Sequence, residues 1–418
     1  MANDMFFSIH TDQHIIDANG IFGYSHGYYK INENFSKFKY KDRRLKVLKN
    51  ERSSNVQMFY MEPEWYNLKT MRSFRHPEFK KFYDHQYKIY GTYLEATKVW
   101  PHWLDAMKNV DEIWVGNKFS VDAIKRSKIK TPTYVFELGV DDIWQPYKRG
   151  GRDKIRFLHV DSGSLRKRAD LVLKAFIELF GNNQDVELTL KFHTNENTTQ
   201  QNVLELFYNS NIKKIYKTFT QDQMYELYKK HDILVYPSEG EGFGLIPLQA
   251  LATGMPVIST SVWCDYDKYF NGNIVKSKMG KTEYTGYFEG DVILPEYRSI
   301  VDLMKSVYDD IQNQCDYFYN QAQDVIDEYN WQNKSSFFLN SFIKRVGVDM
   351  LNPVEKYVVK SEYLVFTGNN VYITPSGIKF SPQSRLCEVD EVLAKGLLQQ
   401  NCFRKASRDE IDGFFNDN

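Results

Sequence analysis

Between Ser238 and Ser259 the chain reads Ser-Glu-Gly-Glu-Gly-Phe-Gly-Leu-Ile-Pro-Leu-Gln-Ala-Leu-Ala-Thr-Gly-Met-Pro-Val-Ile-Ser. Glycines 240, 242 and 244 form a turn that runs into the apolar residues Leu245 to Ala252. A Gly-rich loop ending at a helix N-terminus offers backbone N–H groups and the positive end of the helix dipole. That chemistry suits an anion such as a phosphate or a nucleotide, and Glu241 adds a carboxylate to the same loop. A second stretch with chemical potential is Phe35 to Arg52, which carries Lys37, Lys39, Lys41, Arg43, Arg44, Lys46, Lys49 and Arg52 among Phe35, Phe38 and Tyr40. Cations for phosphates with aromatic faces for bases compose a nucleic-acid surface. The same pattern also suits an anionic lipid acceptor or a solvated amphipathic helix.

These residues need elements to hold them. Ile233 to Tyr236 is an apolar run that reads as a buried strand, Leu245 to Ala252 as a helix stopped by Gly254-Met255-Pro256, and Val257-Ile258 as the next strand. The same alternation runs along the chain. Phe6–Ile9, Val56–Phe59, Glu112–Val115 and Tyr134–Glu137 read as strands, with Asp122–Arg126 on a helix. Gln145-Pro146 and Lys148 to Gly151 read as a linker. Ile155–Val160 and Val186–Phe192 then read as strands, and Ala169–Phe180, Gln221–Lys230, Ile300–Ile311, Asn320–Glu328 and Trp331–Arg345 as helices. Strands alternating with helices make an α/β protein with parallel sheets. Beyond Pro353 the signals change to hairpins at Tyr363–Phe366, Val371–Thr374 and Ile378–Phe380, with a helix at Val389–Gln399.

Composition narrows the function classes. The 418 residues suffice for two domains and an appendage, and the formal net charge is zero. No global charge draws the chain to nucleic acid or membrane. The balance is uneven, however: residues 1–150 hold 24 Lys or Arg against 18 Asp or Glu. Cys264, Cys315, Cys387 and Cys402 are far apart and suggest neither a zinc site nor a disulfide framework. The N-terminus lacks signal-peptide character and no stretch is long and apolar enough to span a membrane. The expectation is a soluble, cytoplasmic protein with no integral membrane segment.

The string from Glu241 resembles the donor-site signature of retaining glycosyltransferases of the GT-B fold, family 4. Glu241 matches the first acid of that signature, followed by Gly242-Phe243-Gly244-Leu245. Gln249 stands where the family has a second acid, eight positions on. Gly20 to Gly27 resembles the family's N-terminal Gly-rich loop, with glycines at 20, 23 and 27. Tyr93 to Thr97, Pro101-x-Trp103 and Asp111 to Val115 resemble a bacterial and phage subgroup with a shortened first domain. Leu138-Gly139-Val140-Asp141 resembles its His-Gly-Val-Asp. The resemblance implies two Rossmann-like domains facing a cleft, residues 1–148 on the acceptor side and 149–350 on the donor side. Residues 355–418 are expected to form a small β-rich module, faintly similar to appended modules of tailed-phage proteins.

The resemblance also implies roles. Glu241 contacts the donor sugar, and Gln249, in place of the acid, hydrogen-bonds ribose hydroxyls. Lys167 matches the family lysine and Arg166 its arginine, in the string Asp161-Ser162-Gly163-Ser164-Leu165-Arg166-Lys167-Arg168. Fixed cations there can stabilise charge on a departing diphosphate. Arg168 replaces the family's glycine. Glu241, Lys167 and Arg166 are therefore the expected catalytic residues. Gly163, Ser238, Gly242, Phe243, Gly244, Leu245, Gln249, Gly20 and Gly23 are the expected donor-binding residues. His26, Glu95, Lys37, Lys39, Arg43 and Arg44 are expected to face the acceptor. The co-substrate is a nucleotide-diphosphate sugar, a UDP-sugar first, with no cofactor and no metal. An inverting reaction would instead call on Glu95, His76 or His102 as base. The expected acceptor is DNA bearing a hydroxymethylated pyrimidine, flipped from the duplex. The alternatives are a glycan, lipid or protein acceptor, or a catalytically inactive GT-B binding or virion component, which Gln249 and Arg168 favour.

Overall fold

A computed structural model describes residues 5–11, 45–49, 56–60, 66–67, 72–73, 87–108, 110–151, 153–193, 209–282, 289–346, 361–368, 372–373, 379–380, 382, 386–390 and 397–407. Two parallel sheets organise the larger unit, which comprises residues 1–51, 56–61 and 87–351. The first contains β1 (Met5–Thr11), β2 (Leu45–Lys49), β3 (Val56–Tyr60), β4 (Tyr87–Thr92), β5 (Glu112–Val115) and β6 (Thr133–Val135), in the order β2-β1-β3-β4-β5-β6. The second contains β7 (Ile155–Val160), β8 (Val186–Phe192), β9 (Ile212–Tyr216), β10 (Ile233–Tyr236) and β11 (Val257–Ser259), in the order β9-β8-β7-β10-β11. Strand order reverses between β7 and β10, and at such a reversal ligands bind beyond the carboxyl ends of the strands.

The connections are helical because parallel neighbours require crossovers. They include α1 (Lys118–Arg126), α2 (Ala169–Phe180), α3 (Gln221–Lys229) and α4 (Leu245–Ala252). A capping box starts α3: Thr220 Oγ1 accepts from Gln223 N, and Gln223 Oε1 accepts from Thr220 N. β8 shows how the second sheet is buried on both faces. Val186, Leu188, Leu190 and Phe192 join one apolar core. The intervening residues are buried with partners: Glu187 pairs with Lys213 at 2.6 Å, and Thr189 lies 2.8 Å from His231 Nε2. The period of two is that of a strand.

Three helices close the unit: α5 (Tyr297–Asp309), α6 (Ile311–Tyr329) and α7 (Trp331–Val346). α7 returns to the first sheet. Phe338 sets its ring 4.1 Å from that of Trp114 and 4.7 Å from that of Phe136. Arg345 Nη2 reaches Glu112 Oε2 at 3.0 Å. One apolar core thus joins Trp114 of the first sheet and Phe136, just beyond β6, to Leu248 of α4 and Tyr329 of α6. Among the described residues no helix is long and apolar enough to cross a membrane.

The smaller unit comprises residues 52–55, 62–86 and 352–418. Its described strands form an antiparallel sheet in the order Leu386–Asp390, Ser361–Phe366, Phe403–Lys405. Tyr372–Ile373 pairs with Lys379–Phe380, the hairpin expected there. Tyr66–Asn67 pairs with Arg72–Ser73.

Three readings of the sequence change. Leu45–Lys49, within the basic run that an amphipathic helix would also explain, is a strand paired in parallel with β1. The expected helix at Val389–Gln399 begins instead as strand, because Leu386–Asp390 is drawn into pairing with Ser361–Val365. Such tertiary pairing overrides local propensity. The expected linker at 145–151 is pinned. Arg149 is 3% exposed and donates to the carbonyls of His231 (2.8 Å), Thr253 (2.7 Å), Tyr228 (3.0 Å) and Tyr147 (3.1 Å), and to Thr253 Oγ1 (3.1 Å). Arg149→Ala would strip several buried acceptors of their donor and should cost about 3–5 kcal/mol in urea unfolding. Lys148→Ala, at an exposed neighbour, should change stability by about 0.5 kcal/mol or less.

Candidate active site

The candidate site is built from the loops that leave β7 and β10, neighbours paired through Phe157–Ile233 and Leu158–Leu234. After β7, Asp161 Oδ1 accepts from Gly163 N at 2.7 Å and Ser164 N at 3.0 Å and turns the chain. A 3-10 turn, Leu165–Lys167, follows. Arg168 then adopts the left-handed conformation, φ 57° and ψ 40°, at the start of α2. The glycine that the signature has at this position would take that conformation freely, whereas a side chain makes it cost roughly 1–2 kcal/mol. Arg168 is held by Glu239 Oε1 at 2.7 Å and Asp170 Oδ2 at 2.9 Å.

After β10, Ser238 and the glycine-rich turn bring Glu241 inward. Its Oε1 accepts from Ser238 Oγ at 2.6 Å, Tyr236 OH at 3.0 Å, Arg166 Nη1 at 2.8 Å and Lys167 Nζ. Lys167 also donates to Tyr236 OH. Burial alone would raise the Glu241 carboxyl, but the charges of Lys167 and Arg166, with hydrogen bonds from Lys167 and Ser238, hold it at about 2. Burial first, and then the Glu241 charge, keep the Tyr236 phenol neutral by raising it well above its ordinary value. Burial also raises Glu239, against the pull of Arg168 and Thr282. The site is thus a buried, ionised carboxylate held by two cations.

The first sheet meets this loop directly. Arg166 Nη2 pairs with Glu95 Oε1 at 2.7 Å. A Cβ on Gly240 would collide with the Glu95 carbonyl oxygen, and one on Gly242 with the Tyr93 side chain. Here the glycines permit close backbone approach. Asn117 joins the two sides: its Oδ1 caps α1 at Ser120 N (2.8 Å), and its Nδ2 donates to the carbonyls of Glu241 (3.0 Å), Gly242 (2.9 Å) and Trp263 (2.7 Å).

Of the residues singled out in the sequence, Glu241, Lys167, Arg166, Ser238 and Glu95 converge on this carboxylate–cation set. Gly163 lies in the turn before it, and Gly242 follows Glu241 in the loop. Phe243 is buried with its ring 5.7 Å from that of Tyr266. Gly244 precedes α4, and Leu245 and Gln249 stand half-buried one helical turn apart on it. Gly20, Gly23, His26, Lys37, Lys39, Arg43, Arg44 and His76 lie outside the described residues. His102 stands on the 3-10 turn Pro101–Trp103. Among the described residues no group of three His, Cys, Asp or Glu side chains could hold a metal ion.

Three participants were not read from the sequence. Tyr236 ends a buried strand, where a hydroxyl needs a partner. Asn117 precedes α1, and asparagine is a favoured N-cap. Glu239 lies beside Glu241, but nothing local announces its pairing with Arg168.

Residues 144–277, which contain both loops, match the family described as glycosyl transferases group 1. The segment that builds the site resembles a group 1 glycosyltransferase domain. A lipopolysaccharide core biosynthesis mannosyltransferase of Rhizobium meliloti, LpsB, is 34% identical over 83 residues, which is 20% of this chain and 20% of LpsB. The fold is GT-B, shared with a glycosyltransferase from Rickettsia africae (TM-score 0.57, 11% identity, 83% of this chain and 100% of the other). It is shared likewise with Anabaena HepE, solved in complex with UDP and glucose (TM-score 0.53, 12% identity, 82% and 100%).

The charge balance around Glu241 makes stability depend on acid. The Glu241 carboxyl sits at about 2 in the fold against 4.5 ordinarily, so its contribution is present above about pH 4.5 and is lost as pH falls toward 2. Unfolding free energy measured from pH 6 to 2.5 should fall more steeply for the wild type than for Glu241→Gln. Lys167→Met, which leaves the carboxylate with one cation fewer, should cost about 3–5 kcal/mol at pH 7.

Proposed function

We propose that the chain is a glycosyltransferase that moves a sugar from a nucleotide-diphosphate sugar, a UDP-sugar first, to an acceptor hydroxyl with retention of configuration. The observation that carries this reading is the ionised Glu241, buried between Lys167 and Arg166 where strand order reverses in the segment that resembles a group 1 domain. Lys167 and Arg166 are the cations for the diphosphate. Charge grows there as the sugar leaves, and groups already fixed in a buried site stabilise it without reorganising. Glu241 contacts the sugar. Retention follows if the acceptor attacks the face that the diphosphate leaves, and the departing phosphate oxygen then takes the hydroxyl proton, so no separate base is needed. The UDP and glucose held by HepE support the choice of co-substrate.

For the acceptor we propose DNA carrying a hydroxymethylated pyrimidine, supported by the eight basic residues among aromatics from Phe35 to Arg52. A glycan or lipid acceptor is the second reading, supported by the similarity to a lipopolysaccharide core mannosyltransferase.

Hydroxymethylcytosine or hydroxymethyluracil DNA, incubated with enzyme and a pool of UDP-sugars and then digested, should yield a nucleoside heavier by one sugar. Glu241→Ala should lower the rate by about 10²–10³-fold. A sugar nucleotide left intact by the wild type, with neither product nor UDP release, would contradict the glycosyltransferase reading. Replacing Lys37, Lys39, Arg43 and Arg44 together by Gln should weaken DNA binding. It should also flatten the dependence of log affinity on log salt by roughly 3–4, with hydrolysis of the sugar nucleotide unchanged. Unaltered, salt-independent DNA affinity would overturn the DNA acceptor.

A further inference from the structure

Each cation of the Arg166-Lys167-Arg168 loop faces a carboxylate, and the three pairs differ. Lys167 is paired with Glu241, whose side chain is 9% exposed, and Arg168 with Glu239, which is 1% exposed. Both carboxylates come from the β10 loop of the same sheet, and both are tied down by hydroxyls, Glu241 by Ser238 and Tyr236 and Glu239 by Thr282 at 3.0 Å. Arg166 shares Glu241 with Lys167, through Nη1 at 2.8 Å, and its Nη2 pairs with Glu95, which is 29% exposed and comes from the segment after β4 in the other sheet. The backbone around Glu95 is fixed independently of that pair. Thr97 N donates to Asp291 O at 2.9 Å, Asp291 N donates to Thr97 Oγ1 at 2.7 Å, and the Glu95 carbonyl packs on Gly240.

We propose that Glu95 is a positioning residue that occupies Arg166 until a diphosphate displaces it, so that donor binding frees the Glu95 carboxylate for the acceptor hydroxyl. The inference rests on the glycosyltransferase reading for the identity of the diphosphate. A guanidinium receives carboxylate and phosphate oxygens through the same donors, so the two anions compete for one place. A diphosphate entering beside three carboxylates meets repulsion, and expelling the most exposed of them relieves it at least cost. The consequence is an order of events: acceptor contact through Glu95 becomes available after the donor is seated.

The test is calorimetric titration of the full-length protein at low salt with inorganic pyrophosphate and, separately, with UDP. The wild type, Glu95→Gln, Arg166→Gln and the double variant would be compared. Glu95→Gln should bind both probes about fivefold more tightly than the wild type, and the gain should vanish in the Arg166→Gln background. Damage to the fold weakens binding, so a gain that depends on Arg166 reports competition. Pyrophosphate bound equally or more weakly by Glu95→Gln overturns the proposal, as does pyrophosphate bound by none of the four. A fivefold gain for pyrophosphate with no binding of UDP keeps the displacement and contradicts the UDP-sugar reading.

Discussion

Burying the Glu241 carboxylate is the constraint around which the site is arranged. Moving a lone carboxylate out of water costs several kcal/mol, so the charge persists there only with opposite charge and hydrogen bonds in place. Lys167, Arg166, Ser238 and Tyr236 all converge on the same carboxylate oxygen. Those partners fix much else. Lys167 and Arg166 must sit on the turn that leaves β7, so β7 and β10 must be neighbours. The loop that carries Glu241 must also be held, which Asn117 does from the first sheet through its hydrogen bonds to the Glu241 and Gly242 carbonyls.

The departure from the resembled signature at Arg168 is accommodated by the same electrostatics. Arg168 takes a backbone conformation suited to glycine and brings its own compensation, since Glu239 and Asp170 hold its guanidinium. The third cation is thereby neutralised within the sheet. Arg166, which shares Glu241 with Lys167, is the member of the trio that also reaches a carboxylate from the other sheet, and that asymmetry is what gives Glu95 its place in the account.

Local pattern revealed much of the second sheet. Ile155–Val160, Ala169–Phe180, Val186–Phe192 and Leu245–Ala252 have the same limits in the structure as in the sequence reading, because apolar-rich segments, the two-residue alternation of Val186–Phe192 among them, end at polar or glycine-containing turns. Leu45–Lys49 was hidden in a run of charge, and it is a strand because β1 lies beside it, a relation that no local window contains. Leu386–Asp390 fails for the same reason. The loop around Glu241 was legible as chemistry, since a carboxylate among three glycines is rare punctuation. Its packing was not. The residues that Gly240 and Gly242 admit, Glu95 and Tyr93, lie some 150 positions earlier in the chain. The buried Arg149 was read as linker because basic residues beside two glycines usually are, and only the fold shows the carbonyls that converge on it.

A crystal structure of the full chain with a non-hydrolysable UDP-sugar would test the central claim most directly, by locating the diphosphate and the sugar against these side chains. The account predicts phosphate oxygens within hydrogen-bonding distance of Lys167 Nζ and the Arg166 guanidinium, with the sugar against Glu241. A nucleotide bound elsewhere, with Glu241 still enclosed by Lys167, Arg166 and Ser238, would contradict it and make the buried carboxylate a structural ion pair.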